Sequence, residues 1–108
     1  MSDLIYNALV VDFIRTQAYE DWLTGLDHKA RARIVARVSA FEATGHAGDA
    51  KSVGGGVMEM RLAFGPGYRV YYTVLARTVM LLGGDKSTQT RDIRKAKEYA
   101  EFWKGQRL

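Results

Sequence analysis

Between Glu59 and Lys86 the chain spaces charged side chains so that a pleated hairpin would gather them on one surface. Glu59 and Arg61 alternate with Met58, Met60, Leu62 and Phe64, and Arg69, Tyr71 and Thr73 alternate with Val70, Tyr72 and Val74. Alternation of this kind sends the two sets to opposite faces of a sheet. A turn at Gly65-Pro66-Gly67 that pairs Phe64 with Tyr68 sets Arg61 opposite Tyr71, Ala63 opposite Arg69 and Glu59 opposite Thr73, all toward solvent. A second turn that pairs Leu75 with Thr78 brings Gly84 opposite Arg69, and Lys86 then projects from the same face. Two guanidinium groups and an ammonium so placed would bind a phosphate and stabilise the charge of a phosphorane, with Lys86, Tyr71 or Glu59 left to move protons. Gly83 and Gly84 would leave room for a substrate backbone. The same residues also read as a cross-strand charge ladder on an exposed sheet face.

Other chemistries find little footing. His28 and His46 stand 18 residues apart without carboxylates at ligand spacing, so no metal site is expected. Lys51-Ser52 follows glycines, yet Ala50 precedes the lysine where a phosphate-binding loop needs glycine. No GxSxG or GxGxxG element is present, and no cofactor is expected. The absence of cysteine excludes disulfides, thiolate metal sites and a cysteine nucleophile.

The elements that must hold these residues are legible in outline. Ala8 to Ile14 reads as a first strand. Thr16 caps a short helix that carries Tyr19, Trp22, Leu23 and Leu26 and ends near Gly25. Asp27 caps a second, with Ala30, Ile34, Val38 and Phe41 as its apolar stripe, a basic row of Lys29, Arg33 and Arg37 beside it, and Gly45 as its stop. A Gly-rich connection over 45–56 leads to three strands, 57–64, 68–75 and 78–82, the last apolar enough to be buried on both faces. Tyr68 and Tyr72 fall among the core aromatics. The chain leaves the sheet at Gly83, and a final helix carries Ile93, Ala96, Ala100 and Trp103, with Tyr99 packing beside them. The order β-α-α-β-β-β-α implies an α+β fold, with helices packed on a small, twisted, mainly antiparallel sheet.

Sixteen Lys and Arg against twelve Asp and Glu give a net charge of +4, unevenly spread. Residues 1–60 carry six basic and eight acidic side chains, whereas 61–97 carry eight basic against Asp85 and Asp92. A basic block of that size suits a polyanion such as RNA, with Arg91 and Arg94 as further contacts, and equally suits a solvated surface. With 108 residues, no apolar run of bilayer length and no signal-like start, the chain reads as one domain, 1–108, soluble and cytoplasmic, without a membrane partner.

Several blocks together resemble a known family. Gly48-Asp49-Ala50-Lys51-Ser52-Val53, Val57-Met58-Glu59-Met60-Arg61-Leu62, Gly65-Pro66-Gly67-Tyr68-Arg69-Val70-Tyr71-Tyr72 and Leu81-Leu82-Gly83-Gly84-Asp85-Lys86-Ser87 are similar to the phage-derived, HigB-like branch of the RelE/ParE toxin superfamily, the addiction-module killer proteins. The likeness runs from Phe13 to about Trp103, and the element order agrees with the RelE fold. It implies the toxin of a type II toxin–antitoxin system, bound by a small helix-turn-helix antitoxin. It further implies a metal-independent endoribonuclease that cuts mRNA on the ribosome by attack of a 2′-hydroxyl on the adjacent phosphate. Carried over, Arg69 matches the strand arginine that stabilises the transition state and Arg61 a second arginine on the neighbouring strand. Lys86 matches a basic residue after the last strand, and Lys51 the lysines that hold RNA. The tyrosine or histidine that many members carry near the chain end has no equivalent. The same superfamily contains ParE-like inhibitors of DNA gyrase, and a catalytically inactive, antitoxin-binding relic would share the sequence pattern. The antitoxin is expected to cover the basic face, or the helices beside it, with acidic or amphipathic segments.

Overall fold

The computed structural model describes residues 13–108. Strand β1 (Phe13–Arg15) leads into helices α1 (Gln17–Thr24) and α2 (His28–Thr44). Strands β2 (Ala50–Gly54), β3 (Val57–Arg61), β4 (Tyr68–Val74) and β5 (Thr78–Asp85) follow, then a 3-10 turn (Lys86–Thr88) and helix α3 (Gln89–Lys104). The five strands form one mixed sheet in the order β1-β5-β4-β3-β2, with β1 parallel to β5 and the other neighbours antiparallel. The expected first strand lies outside the described residues over 8–12, and Phe13 and Ile14 fall within β1.

The helix ends form as their residue types demand. The Thr16 hydroxyl accepts from the Tyr19 N–H, and the Asp27 carboxylate accepts from the N–H groups of Lys29 and Ala30, satisfying donors that the first turns leave open. Gly45, at φ 76°, closes α2 in a left-handed conformation and bonds to the Phe41 carbonyl. Tyr19 and Leu23 of α1, with Ile34, Val38 and Phe41 of α2, pack on Met60, Val70, Tyr72 and Met80 on one sheet face.

The opposite face departs from expectation. Rather than meeting solvent it is covered by α3, whose Ala96 and Ala100 lie against Val57, Tyr71, Val79, Leu81 and Leu82. Alanine lets the helix backbone approach the sheet closely, and the sheet becomes the middle of three layers. Glu59, Arg69, Tyr71 and Thr73, expected outside, are therefore buried, and Val74, expected inside, is exposed.

Register differs in detail. The β3–β4 hairpin sets Glu59 opposite Tyr71 and Arg61 opposite Arg69, two residues from the expected pairing, because Leu62–Gly67 forms a wider loop than a three-residue turn. A shift of two preserves which face each side chain occupies. Between β4 and β5, Val74 pairs with Thr78, while Tyr71 pairs with Leu82 and Arg69 with Gly84. A bulge at Leu81 separates the two registers, so Leu81 and Leu82 both serve the α3-side core. Strand β5 continues through Gly83 and Gly84 to Asp85 instead of leaving the sheet. The Gly-rich connection also contains a strand, β2, which extends the sheet antiparallel to β3. No helix among the described residues is long and apolar enough to cross a membrane.

Candidate phosphate-binding cleft

At the end of the sheet where α3 begins, three rows of paired residues on the α3 side run Val57–Thr73–Val79, Glu59–Tyr71–Leu82 and Arg61–Arg69–Gly84. The outermost row borders a cleft of about 390 Å³ lined by Asp49, Arg61, Leu62, Ala63, Gly67, Arg69 and Lys86. Arg61, Arg69 and Lys86 all line this cleft, although Arg69 is buried rather than turned to solvent. Lys86 gets there because the strand ends in a tight turn. The Asp85 carboxylate accepts from the backbone N–H and the hydroxyl of Ser87, at 2.8 and 2.6 Å, and these bonds hold Asp85 below its ordinary pKa. The Lys86 N–H bonds to the Gly67 carbonyl at 3.1 Å, which ties this turn to the β3–β4 loop.

Arg61 and Arg69 face each other across the hairpin, where like charges repel. Each has its own carboxylate. Asp49 Oδ1 accepts from Arg61 Nη2 at 2.8 Å and from Nε at 3.2 Å. Arg69 is only 9% exposed, and its Nε lies 4.0 Å from Oε1 of Glu59, itself 0% exposed. Arg69 Nη1 donates to the carbonyls of Gly67 and Tyr68, both at 3.1 Å. Glu59 Oε2 accepts from the Tyr71 hydroxyl at 3.0 Å and from Gln89 Nε2 at 2.7 Å. Burial, reinforced by the bond to Glu59, raises the Tyr71 pKa far above its usual value, so Tyr71 stays a protonated donor. Lys86 is exposed and makes no ion pair among the described residues.

Two expected roles change with this geometry. Tyr71 offers no surface to RNA, because it is fully buried beneath α3. Glu59 is equally sealed from solvent, so it faces Arg69 rather than a substrate proton. The space expected above the glycine pair is filled: the Trp22 indole lies against Gly83, and the Asp92 carboxylate and Thr88 hydroxyl lie against Gly84. Arg91 and Arg94 are exposed on the first turns of α3 and border a second depression that also includes Lys86, so the basic surface continues from the cleft. Lys51 stands exposed on β2, in register with Glu59 and outside the cleft.

Residues not assigned to a site from the sequence wall and support the cleft. Asp49 is its carboxylate wall. Arg37 of α2 donates to the carbonyls of Ala47, Asp49 and Arg61, at 2.9, 3.2 and 3.2 Å, and so clamps the strand end that carries Arg61. Arg33 stacks 3.8 Å over the Phe64 ring in the loop below. The basic row on α2 is the sequence signal for these contacts, because a guanidinium offers five N–H donors in a fixed fork to carbonyl oxygens within its reach.

The geometry defines a small α+β protein with a cleft lined by Arg61, Arg69 and Lys86 at one end of its sheet. The chain belongs to the phage-derived Gp49-like protein family (DUF891), whose family model matches residues 21–101. A relative in Haemophilus influenzae, described as an uncharacterized protein, is 40% identical over 98 residues, covering 86% of this chain and 96% of its own length. The matched segment contains every residue of the cleft.

Proposed function

We propose that this chain is the toxin of a type II toxin–antitoxin pair, a HigB-like member of the RelE/ParE superfamily that cuts mRNA on the ribosome. The observation that carries the reading is the convergence of Arg61, Arg69 and Lys86 on one open cleft, and membership of a phage-derived family supports it. In the proposed reaction the 2′-hydroxyl of one nucleotide gives its proton to solvent water as its oxygen forms a bond to the adjacent phosphorus, and the bond from phosphorus to the next 5′-oxygen breaks. Arg69, braced by two carbonyls, and Arg61 stabilise the charge that builds on the phosphorane oxygens. With Glu59 and Tyr71 buried, Lys86 is the exposed cation that gives a proton to the departing 5′-oxygen. Lys51, Arg91 and Arg94 guide the rest of the strand. A small helix-turn-helix antitoxin with an acidic segment over the cleft would neutralise the protein.

Induction in a bacterial host, with mRNA ends mapped, tests this reading. Growth arrest with new 5′ ends in translated messages is expected, and Lys86→Ala, a change at an exposed side chain, should lose at least about tenfold of the cutting rate. Arg69→Lys keeps a charge beside Glu59 but loses the planar fork, and should lose about as much or more. Intact messages together with stoichiometric inhibition of purified DNA gyrase would replace this reading with the ParE-like one.

A further inference from the structure

The buried pair behind the cleft is incompletely bonded in a specific way. Glu59 Oε1 and Arg69 Nε are buried, face each other at 4.0 Å, and neither has a hydrogen-bond partner among the described residues. Buried polar atoms are nearly always satisfied, so two facing orphans call for a physical reason. Moving the guanidinium about 1 Å toward Glu59 would make a direct charge-assisted bond. Two sets of contacts oppose it. The carbonyls of Gly67 and Tyr68 hold Nη1 on the cleft side, while Tyr71 and Gln89 hold the carboxylate by its other oxygen.

We infer that Glu59 is the positioning residue of Arg69, and that Gln89, the first residue of α3, anchors it from across the layer. The inference rests on the cleft being the site proposed above. The fixed carboxylate faces Nε, the two carbonyls take Nη1, and the planar fork is thereby oriented with Nη2 as the nitrogen left for a phosphate oxygen. Orientation costs little at the moment of reaction when the surroundings have already set it. Glu59 thus acts through Arg69 and never meets the substrate.

Glu59→Gln is the informative change. The amide oxygen of the introduced side chain would keep the bonds from Tyr71 and Gln89, which places its NH2 group against the Arg69 Nε–H, donor against donor. In protein labelled with nitrogen-15 arginine, the wild-type Arg69 Nε–H should give a distinct signal that exchanges slowly with water. Glu59→Gln should shift that signal and speed its exchange at least about tenfold. On translating ribosomes kcat should fall about tenfold or more with KM within about threefold, since orientation rather than binding is lost. Gln89→Ala, which leaves Glu59 charged and held by Tyr71, should change both readouts in the same direction and by less. It serves as the second variant should Glu59→Gln fail to fold. An unchanged Arg69 Nε–H signal in the folded variants, or unchanged kcat, overturns the positioning role. Wild-type protein that cuts no mRNA overturns the ribonuclease reading instead, and the arginine signal then decides the positioning role alone.

Discussion

Asp49 holds Arg61 by a single oxygen: Oδ1 accepts from both Nη2 and Nε of the guanidinium, at 2.8 and 3.2 Å, on the wall of the cleft. With Glu59 facing Arg69, two of the three converging cations already have a counter-charge, and Lys86 alone has none among the described residues. A phosphate entering the cleft must therefore share or displace Asp49. Asp49→Asn should raise affinity for a short single-stranded RNA severalfold and steepen the salt dependence by about one released counterion. Both ends of the pair are more than a third exposed, so stability should change by less than about 1 kcal/mol. Fluorescence anisotropy at two salt concentrations reads the effect. Weaker binding in the variant would mean that Asp49 helps hold the strand.

Gly83 and Gly84 are fixed by neighbours on opposite faces. A methyl group at Gly83 would run into the Trp22 indole, and one at Gly84 into the Asp92 carboxylate, because the pleat turns consecutive residues to opposite sides. Neither neighbour gives easily, since one is a rigid ring and the other a buried charge bonded to the Thr88 hydroxyl. Gly83→Ala and Gly84→Ala should each cost about 1–3 kcal/mol or more in urea unfolding. Gly84→Ala should also shift the Thr88–Asp92 end of α3 and hence Gln89. A midpoint unchanged by Gly84→Ala would show that α3 moves away from the sheet at no cost.

These two positions also show how far the sequence could be read. Caps at Thr16, Asp27 and Gly45 and the stripes of α2 and α3 depend on neighbours within a turn or two, and they form where those residue types stand. Pleat parity was equally local, so Arg61 and Arg69 were placed on a common face even though the loop width shifted their pairing by two. What covers a face is a long-range property. Alternation at Glu59 and Tyr71 looks the same whether water or a helix lies above, and only the small Ala96 and Ala100 of a distant segment point to close cover. Strand β2 escaped for a related reason: an edge strand of mixed exposure with Gly54 at its end carries no clear period. The glycine pair read as open space because sequence shows a missing side chain but not the neighbour that fills its place.

Tyr19 supplies an alkaline test of the α1 packing. Burial pushes its pKa from 10.0 up to about 12, against the opposing charge of Arg15. Between those values the unfolded chain loses the phenolic proton while the folded chain keeps it. The stabilisation is complete below pH 10, declines above it, and is gone once pH passes the folded value. Each pH unit in that window should lower stability by about 1.4 kcal/mol for this tyrosine. Tyr19→Phe should remove that share of the slope, measured as unfolding free energy against pH. An unchanged slope would mean that Tyr19 ionises freely in the folded protein.

The Arg37 side chain joins α2, the loop before β2 and the end of β3. Its Nε, Nη1 and Nη2 donate to the carbonyls of Ala47, Arg61 and Asp49, three acceptors that a planar fork reaches together. The backbone N–H of Arg61 donates in turn to the Asp49 carbonyl at 2.8 Å, so the clamp closes over the bond that sets one cleft residue beside the other. Arg37→Ala leaves three carbonyls without a cationic donor and should destabilise the fold by about 2 kcal/mol or more. The local effect should be sharper than the global one. Hydrogen exchange at the Arg61 amide should quicken at least about tenfold more than at the amides of Ala96 or Ala100 in α3, since a segment can open on its own when its ties are cut. Arg37→Lys restores charge but reaches too few of the carbonyls at once, and should recover little of the protection. If the Arg61 amide in Arg37→Ala exchanged no faster than those of α3, the β2–β3 pairing alone would hold the cleft wall, and the clamp would be dispensable.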